Sequence, residues 1–192
     1  MGCDFNVDTM RWVVAQMTST EIRFIDEIAL GRSGTTEQAA REFVRRYASH
    51  VGLVAVCGDA SGMARSTSGP TDYQIIREEL AKVPYFQVTM QIPKANPLQK
   101  HRVDNMNYHL AARGKRVLVS PRCKELMIDW ERVAWKKGQP TIDKNADPLR
   151  GHAADSADYI VWMLERVRSI GARSSANIAG DRFDGGVATM EF

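Results

Sequence analysis

Three aspartates sit where a carboxylate needs explaining. Asp4 lies in Gly2-Cys3-Asp4-Phe5, at the start of what reads as a buried strand. Asp59 closes the apolar run GLVAVCGDASG (52–62), and Asp155 stands early in the last helical segment, three residues after His152. A carboxylate on a core strand costs several kcal/mol unless something positive compensates it. Open α/β sheets gather their chemistry at the carboxyl ends of adjacent strands. If the first and fourth strands are neighbours, Asp4 and Asp59 meet there. His152 and Asp155, at i and i+3, share one helix face. Clustered carboxylates repel one another in isolation and are stable around a divalent cation. All-oxygen ligands select Mg²⁺ or Mn²⁺. Two such ions about 4 Å apart activate water and stabilise the leaving oxygen in phosphodiester hydrolysis.

Simpler readings compete for three of the four residues. Asp59, between glycine and alanine, suits a turn. Asp155 suits the first turn of a helix, where the dipole favours an anion. His152 reads equally as a packed or capping histidine. Asp4 is the hardest to explain this way. Asp158 is expected to face solvent and is left out of the site.

The elements that must position these residues follow from periodicity and breakers. Residues 2–6, 11–18 and 21–30 read as an antiparallel meander rich in branched and aromatic residues. Residues 31–36 form a loop, with Thr35 or Thr36 capping a helix over 36–50. The run 52–62 reads as a central strand buried on both faces. Helices are expected over 72–83, 98–114 (closed by Gly114), 123–136 and 149–169, with strands at 86–93 and 116–120. From Gly171 onward the residues are small, polar and glycine-rich, which predicts a flexible tail. Three antiparallel strands followed by alternating helix and strand make an α/β mixed sheet flanked by helices.

The chain has 192 residues, 44% hydrophobic and 26% charged, as expected of one globular domain. No apolar run approaches a membrane span, and no signal peptide pattern opens the chain. Cys3, Cys57 and Cys123 have no CxxC spacing and read as reduced thiols. The four histidines are not at zinc-ligand spacing with them. Between Lys94 and Lys124 eight cationic side chains stand against Asp104 alone, although the whole chain carries only +3. This block reads either as a surface for a polyanion or as a solvated face.

The sequence resembles the nuclease domain of the large terminase subunit of tailed bacteriophages. CDFNVD (3–8), GDASG (58–62), Asn96-Pro97, SPRCKELMIDWE (120–131), IDK (142–144) and HAADSADY (152–159) match in order and spacing, over nearly all of the chain to about residue 168. The resemblance implies a ribonuclease H-like fold over residues 1–170 and a tail over 171–192. It implies that Asp4, Asp59 and Asp155 are metal ligands for two Mg²⁺ or Mn²⁺ ions, with His152 near the second. Lys144 would lie close to the scissile phosphate, Arg65 and Lys94 would contact DNA, and Asp8 and Asp143 are acidic reserves. The resemblance further implies a viral protein of the host cytoplasm, with double-stranded DNA as substrate and the small terminase subunit and portal as partners. The family's N-terminal ATPase is not in this sequence, which contains no GxxxxGK[ST]; an isolated nuclease domain is expected.

The reading is a metal-dependent DNA endonuclease that cuts concatemeric viral DNA during packaging. Its rivals are another ribonuclease H-like nuclease of the resolvase or transposase type, and a non-catalytic DNA-binding or motor-docking module.

Overall fold

The computed structural model of the chain describes residues 1–6, 9–64, 69–143 and 147–163. Six strands form one sheet: β1 (Gly2–Asp4), β2 (Met10–Met17), β3 (Glu21–Leu30), β4 (Gly52–Gly58), β5 (Phe86–Gln91) and β6 (Arg116–Val119). Their order is β5-β4-β1-β2-β3-β6. β1, β2 and β3 are the antiparallel meander that the sequence predicts. β4 returns beside β1 in parallel, β5 extends that edge, and β6 joins β3 in parallel at the other edge.

Among the described residues, five helices cover the sheet: α1 (Thr36–Tyr47), α2 (Asp72–Leu80), α3 (Gln99–Leu110), α4 (Lys124–Arg132) and α5 (152–163). Strand alternation divides the core in two. Trp12, Val14, Val54 and Val56 point to one face, with Phe43 of α1 and Ile76 and Leu80 of α2. Val13 and Cys57 point to the other, with Met106 of α3, Leu126 of α4 and Ile160 of α5. Each large apolar side chain removed from water this way stabilises the fold by about 1.5–3 kcal/mol. The three cysteines are buried free thiols.

Thr35 and Thr71 start α1 and α2 with full capping boxes, reciprocated by Gln38 and Gln74. Several expected boundaries shift. α3 stops at Leu110 and is not closed by Gly114; Ala112, at φ 56°, makes the left-handed turn instead. α5 begins at 152, later than the expected 149, because Gly151 has φ 88° and cannot be helical. β4 is buried on both faces only toward its end: Leu53 is 62% exposed. The tail at 171–192 lies outside the described residues, as does the expected end of the last helix.

Candidate active site

Asp4 and Asp59 occupy equivalent places at the carboxyl ends of adjacent parallel strands. Cys3 pairs with Gly58 in register, and the next residue on each chain is an aspartate. The Asp59 N–H donates to the Cys3 carbonyl at 3.3 Å. α5 crosses close above β1 because Gly2 has no side chain; a Cβ there would lie 2.1 Å from the Ser156 carbonyl oxygen. This close approach brings His152 and Asp155 to the same edge.

His152 supplies a hydrogen-bond partner for Asp4. Its Nδ1 lies 2.7 Å from Asp4 Oδ2, and its Nε2 lies 3.0 Å from the Pro148 carbonyl oxygen. The carboxylate and the carbonyl are both acceptors, and together they fix the plane of the ring. The Asn6 amide nitrogen lies 3.3 Å from Nε2.

Asp155 faces a cation. The Arg102 guanidinium donates to Asp155 Oδ1 at 3.2 Å, and the Gln99 amide reaches the same oxygen at 3.3 Å. Arg102 also lies 4.1 Å from the centroid of the Tyr159 ring. Tyr159 donates to Asn96 Oδ1 at 3.0 Å, and Asn96 Nδ2 donates to Asp59 Oδ1 at 2.8 Å. A continuous chain of contacts therefore runs Asp59–Asn96–Tyr159–Arg102–Asp155.

Asp59 also caps the 3₁₀ turn Ala60–Met63, accepting from the Ser61 N–H at 2.6 Å. Turn residue and strand-end carboxylate are thus one and the same. Burial pushes the Asp59 carboxyl up, but the Asn96 amide, Ser61 and the Arg102 charge outweigh it and hold it below the ordinary value. Tyr159 is pushed up, first by burial, with Arg102 opposing and Asp59, Asp155 and Asp4 adding to the rise. All three aspartates are thus within electrostatic reach of one hydroxyl.

Asp158 does not face solvent. It is 2% exposed, and burial, then the neighbouring Asp155, raise its carboxyl well above the usual range. The sequence reading missed it because helix spacing alone does not distinguish which helix faces are covered.

A second network sets where α5 begins. Gly151 offers no side-chain cap, so Asp129 of α4 supplies one: its Oδ2 accepts from Ala153 N–H at 2.9 Å and Ala154 N–H at 3.2 Å. Arg150 bridges Asp129 and Glu125. Glu27 of β3 caps α4 in turn, accepting from the Glu125 and Leu126 N–H groups. Ser156 donates to the Arg11 carbonyl at 2.6 Å, tying α5 to β2. Glu27 lies nearly a hundred residues before the helix it caps, so no local signal marks it.

The basic block divides. Arg102 and Lys115 are buried, Arg102 on Asp155 and Lys115 on the Thr18 carbonyl. Lys100 pairs with Asp104 and Arg116 with Glu21. Reading all eight cations as one surface is therefore wrong; at least two serve the interior. Lys94 is exposed. Asp143 is half-buried, and its N–H donates to the Ala134 carbonyl at 2.8 Å. Arg65, Lys144 and Asp8 lie outside the described residues.

Among the described residues, no three His, Cys, Asp or Glu side chains converge as a ready metal cage. The donor types are nonetheless those a hard divalent cation takes: Asp4 and Asp59 end adjacent strands, and Asp155, on α5, is linked to Asp59 through Asn96, Tyr159 and Arg102. As arranged here, the Arg102 guanidinium offsets part of that charge, and His152 is hydrogen-bonded to Asp4.

No family model matches the chain, and no curated protein matches it. Its fold does match solved structures. The large terminase of a thermophilic bacteriophage aligns with a TM-score of 0.59 at 13% identity, over 83% of this chain and 38% of that one. The same protein in complex with ATP-gamma-S aligns at 0.59 and 14%. The nuclease domain of g2p, the large terminase of bacteriophage SPP1, determined with bound Mn, aligns at 0.50 and 16%, over 82% of this chain and 81% of that one. This chain spans about 38% of the thermophilic phage's terminase chain. It has the ribonuclease H-like fold of a terminase nuclease domain.

Proposed function

We propose that the chain is a divalent-metal-dependent DNA endonuclease of the large-terminase type. One observation carries the reading: Asp4 and Asp59 end adjacent parallel strands, and α5 brings Asp155 and His152 to that edge. The fold match supports it, and the SPP1 domain was determined with bound Mn.

Asp4, Asp59 and Asp155 would hold Mg²⁺ or Mn²⁺, with His152 as a fourth candidate ligand. Bound there, such ions supply an activated water and a Lewis acid at the phosphate. The protein's own groups do the positioning. Asn96 aims the Asp59 carboxylate, and its amide keeps that group charged. His152 orients Asp4 from the opposite side. Arg102 offsets carboxylate repulsion when no metal is bound. Lys94 would contact phosphates, together with Arg65 and Lys144; such contacts carry little base information. Cutting of concatemeric viral DNA, an attached ATPase, a small subunit and a portal belong to the same proposal.

The Arg102–Asp155 pair favours a second reading, a DNA-binding module that does not cut. Plasmid cleavage with Mn²⁺, Mg²⁺ or EDTA, beside Asp59→Asn, separates the two. Cutting that needs metal and falls about a hundredfold or more in the folded variant is expected. Intact plasmid with every metal overturns the endonuclease.

A further inference from the structure

Trp135 stands outside the core. Trp12 is fully buried, and Trp130 packs edge-on against Phe24 with ring centres 5.6 Å apart. Trp135 is 42% exposed and, among the described residues, packs on no other ring. A single exposed apolar side chain is ordinary. The placement of this one is not.

Trp135 belongs to a short antiparallel hairpin over 134–143, where it pairs with Ile142. Two hydrogen bonds bracket the pair. The Lys136 N–H donates to the Thr141 carbonyl at 2.8 Å, and the Asp143 N–H to the Ala134 carbonyl at 2.8 Å. The opposite strand is held in turn by Gln99, the first residue of α3. The Gln99 amide oxygen accepts from the Ile142 N–H at 2.8 Å, and its amide nitrogen donates to Asp155 Oδ1 at 3.3 Å. One side-chain amide thus ties the hairpin to a candidate metal ligand, and the indole is fixed at the rim of the candidate site.

Lys136 and Lys137 follow Trp135 directly, and among the described residues neither side chain is ion-paired. Lys100, Arg102 and Arg116, by contrast, already have acidic partners. An exposed ring beside two uncommitted cations complements a nucleic-acid strand: the ring offers a stacking surface and the ammonium groups attract phosphates. An intact duplex presents no base face to such a ring. Its bases are stacked on one another and show only their edges in the grooves. A base must leave the stack to meet the indole.

We propose that Trp135 is a base-stacking residue for an unpaired nucleotide of the DNA, with Lys136 and Lys137 holding the phosphates beside it. The inference rests on the nuclease reading above for its ligand and gives that ligand a form: DNA opened near the cut by a gap, a frayed end or local unstacking. Trp135 selects which DNA is held and takes no part in the hydrolysis.

DNA binding in EDTA tests this without cleavage. Fluorescence anisotropy compares an intact duplex, the same duplex with a short single-stranded gap, and the gapped duplex with abasic sites in place of the gap bases. The parent is expected to bind the gapped duplex more tightly than the other two. Trp135→Ala should lose about fivefold or more on the gapped duplex and little on the others, while Trp135→Phe keeps most of the affinity. Changing Lys136→Gln and Lys137→Gln together should weaken binding to all three and lower the salt slope by up to about two. Equal affinity of the parent and Trp135→Ala for the gapped duplex overturns the proposal, and so does an equal loss on gapped and abasic DNA. Where metal-dependent plasmid cutting persists beside either result, the stacking role alone fails. Failure of the parent to bind any of the three DNAs overturns the nuclease reading with it.

Discussion

Arg102 of α3 and Asp155 of α5 form a 3.2 Å ion pair in which each side chain is only 7% exposed. The arginine comes from the basic stretch that reads as a DNA surface, yet it lies inside, stacked on Tyr159. Its charge also bears on Asp59 and Asp158. One buried cation thus serves the acidic cluster that occupies the carboxyl edge of the sheet.

Removing that cation should be costly. Arg102→Met leaves the buried Asp155 carboxylate without its guanidinium, and the expected loss is about 3–5 kcal/mol. Arg102→Lys keeps the charge but not the planar fork, so it should lose less. Urea unfolding checks both. A methionine variant as stable as the parent would mean that the pair does not hold α3 to α5.

The start of α5 should depend on an acceptor from another helix. Asp129→Ala strips two N–H groups of their acceptor and leaves Arg150 to Glu125 and Asp147, and should cost about 2–4 kcal/mol. Asp129→Asn retains an acceptor oxygen and should lose clearly less. Equal losses in thermal unfolding would show that the charge, not the cap, is what counts.

Asp158 should make stability fall as pH rises. Burial, followed by Asp155, raises its folded carboxyl above the ordinary 3.8, so its stabilising contribution is complete below that value and is lost as pH climbs through the folded value. Asp158→Asn removes the titration. In EDTA, the parent should match the variant best near about pH 4. It should then lose ground by up to about tenfold in folding equilibrium per pH unit above that. Parallel stability curves for the two proteins across that range would refute a raised Asp158.

A large part of the architecture is legible in the sequence, because local chemistry sets it. Alternating branched residues mark β2 and β3, Thr35 marks a helix start, and the glycine–aspartate step after Val56-Cys57 marks the end of β4. Asp4 and Asp59 are conspicuous for the same reason: a carboxylate bordering apolar strand residues is costly wherever the chain goes.

The rest was decided by packing. His152 meets Asp4 across 148 positions, and Glu27 caps a helix nearly a hundred residues away. Arg102 and Lys115 look like surface cations, and Asp158 like a solvated acid, until α3 and α5 close over them. Periodicity reports which residues share a face of one element, but not what lies against that face. The partner of a buried charge, and hence its protonation and its role, is fixed only when elements distant in sequence are brought together.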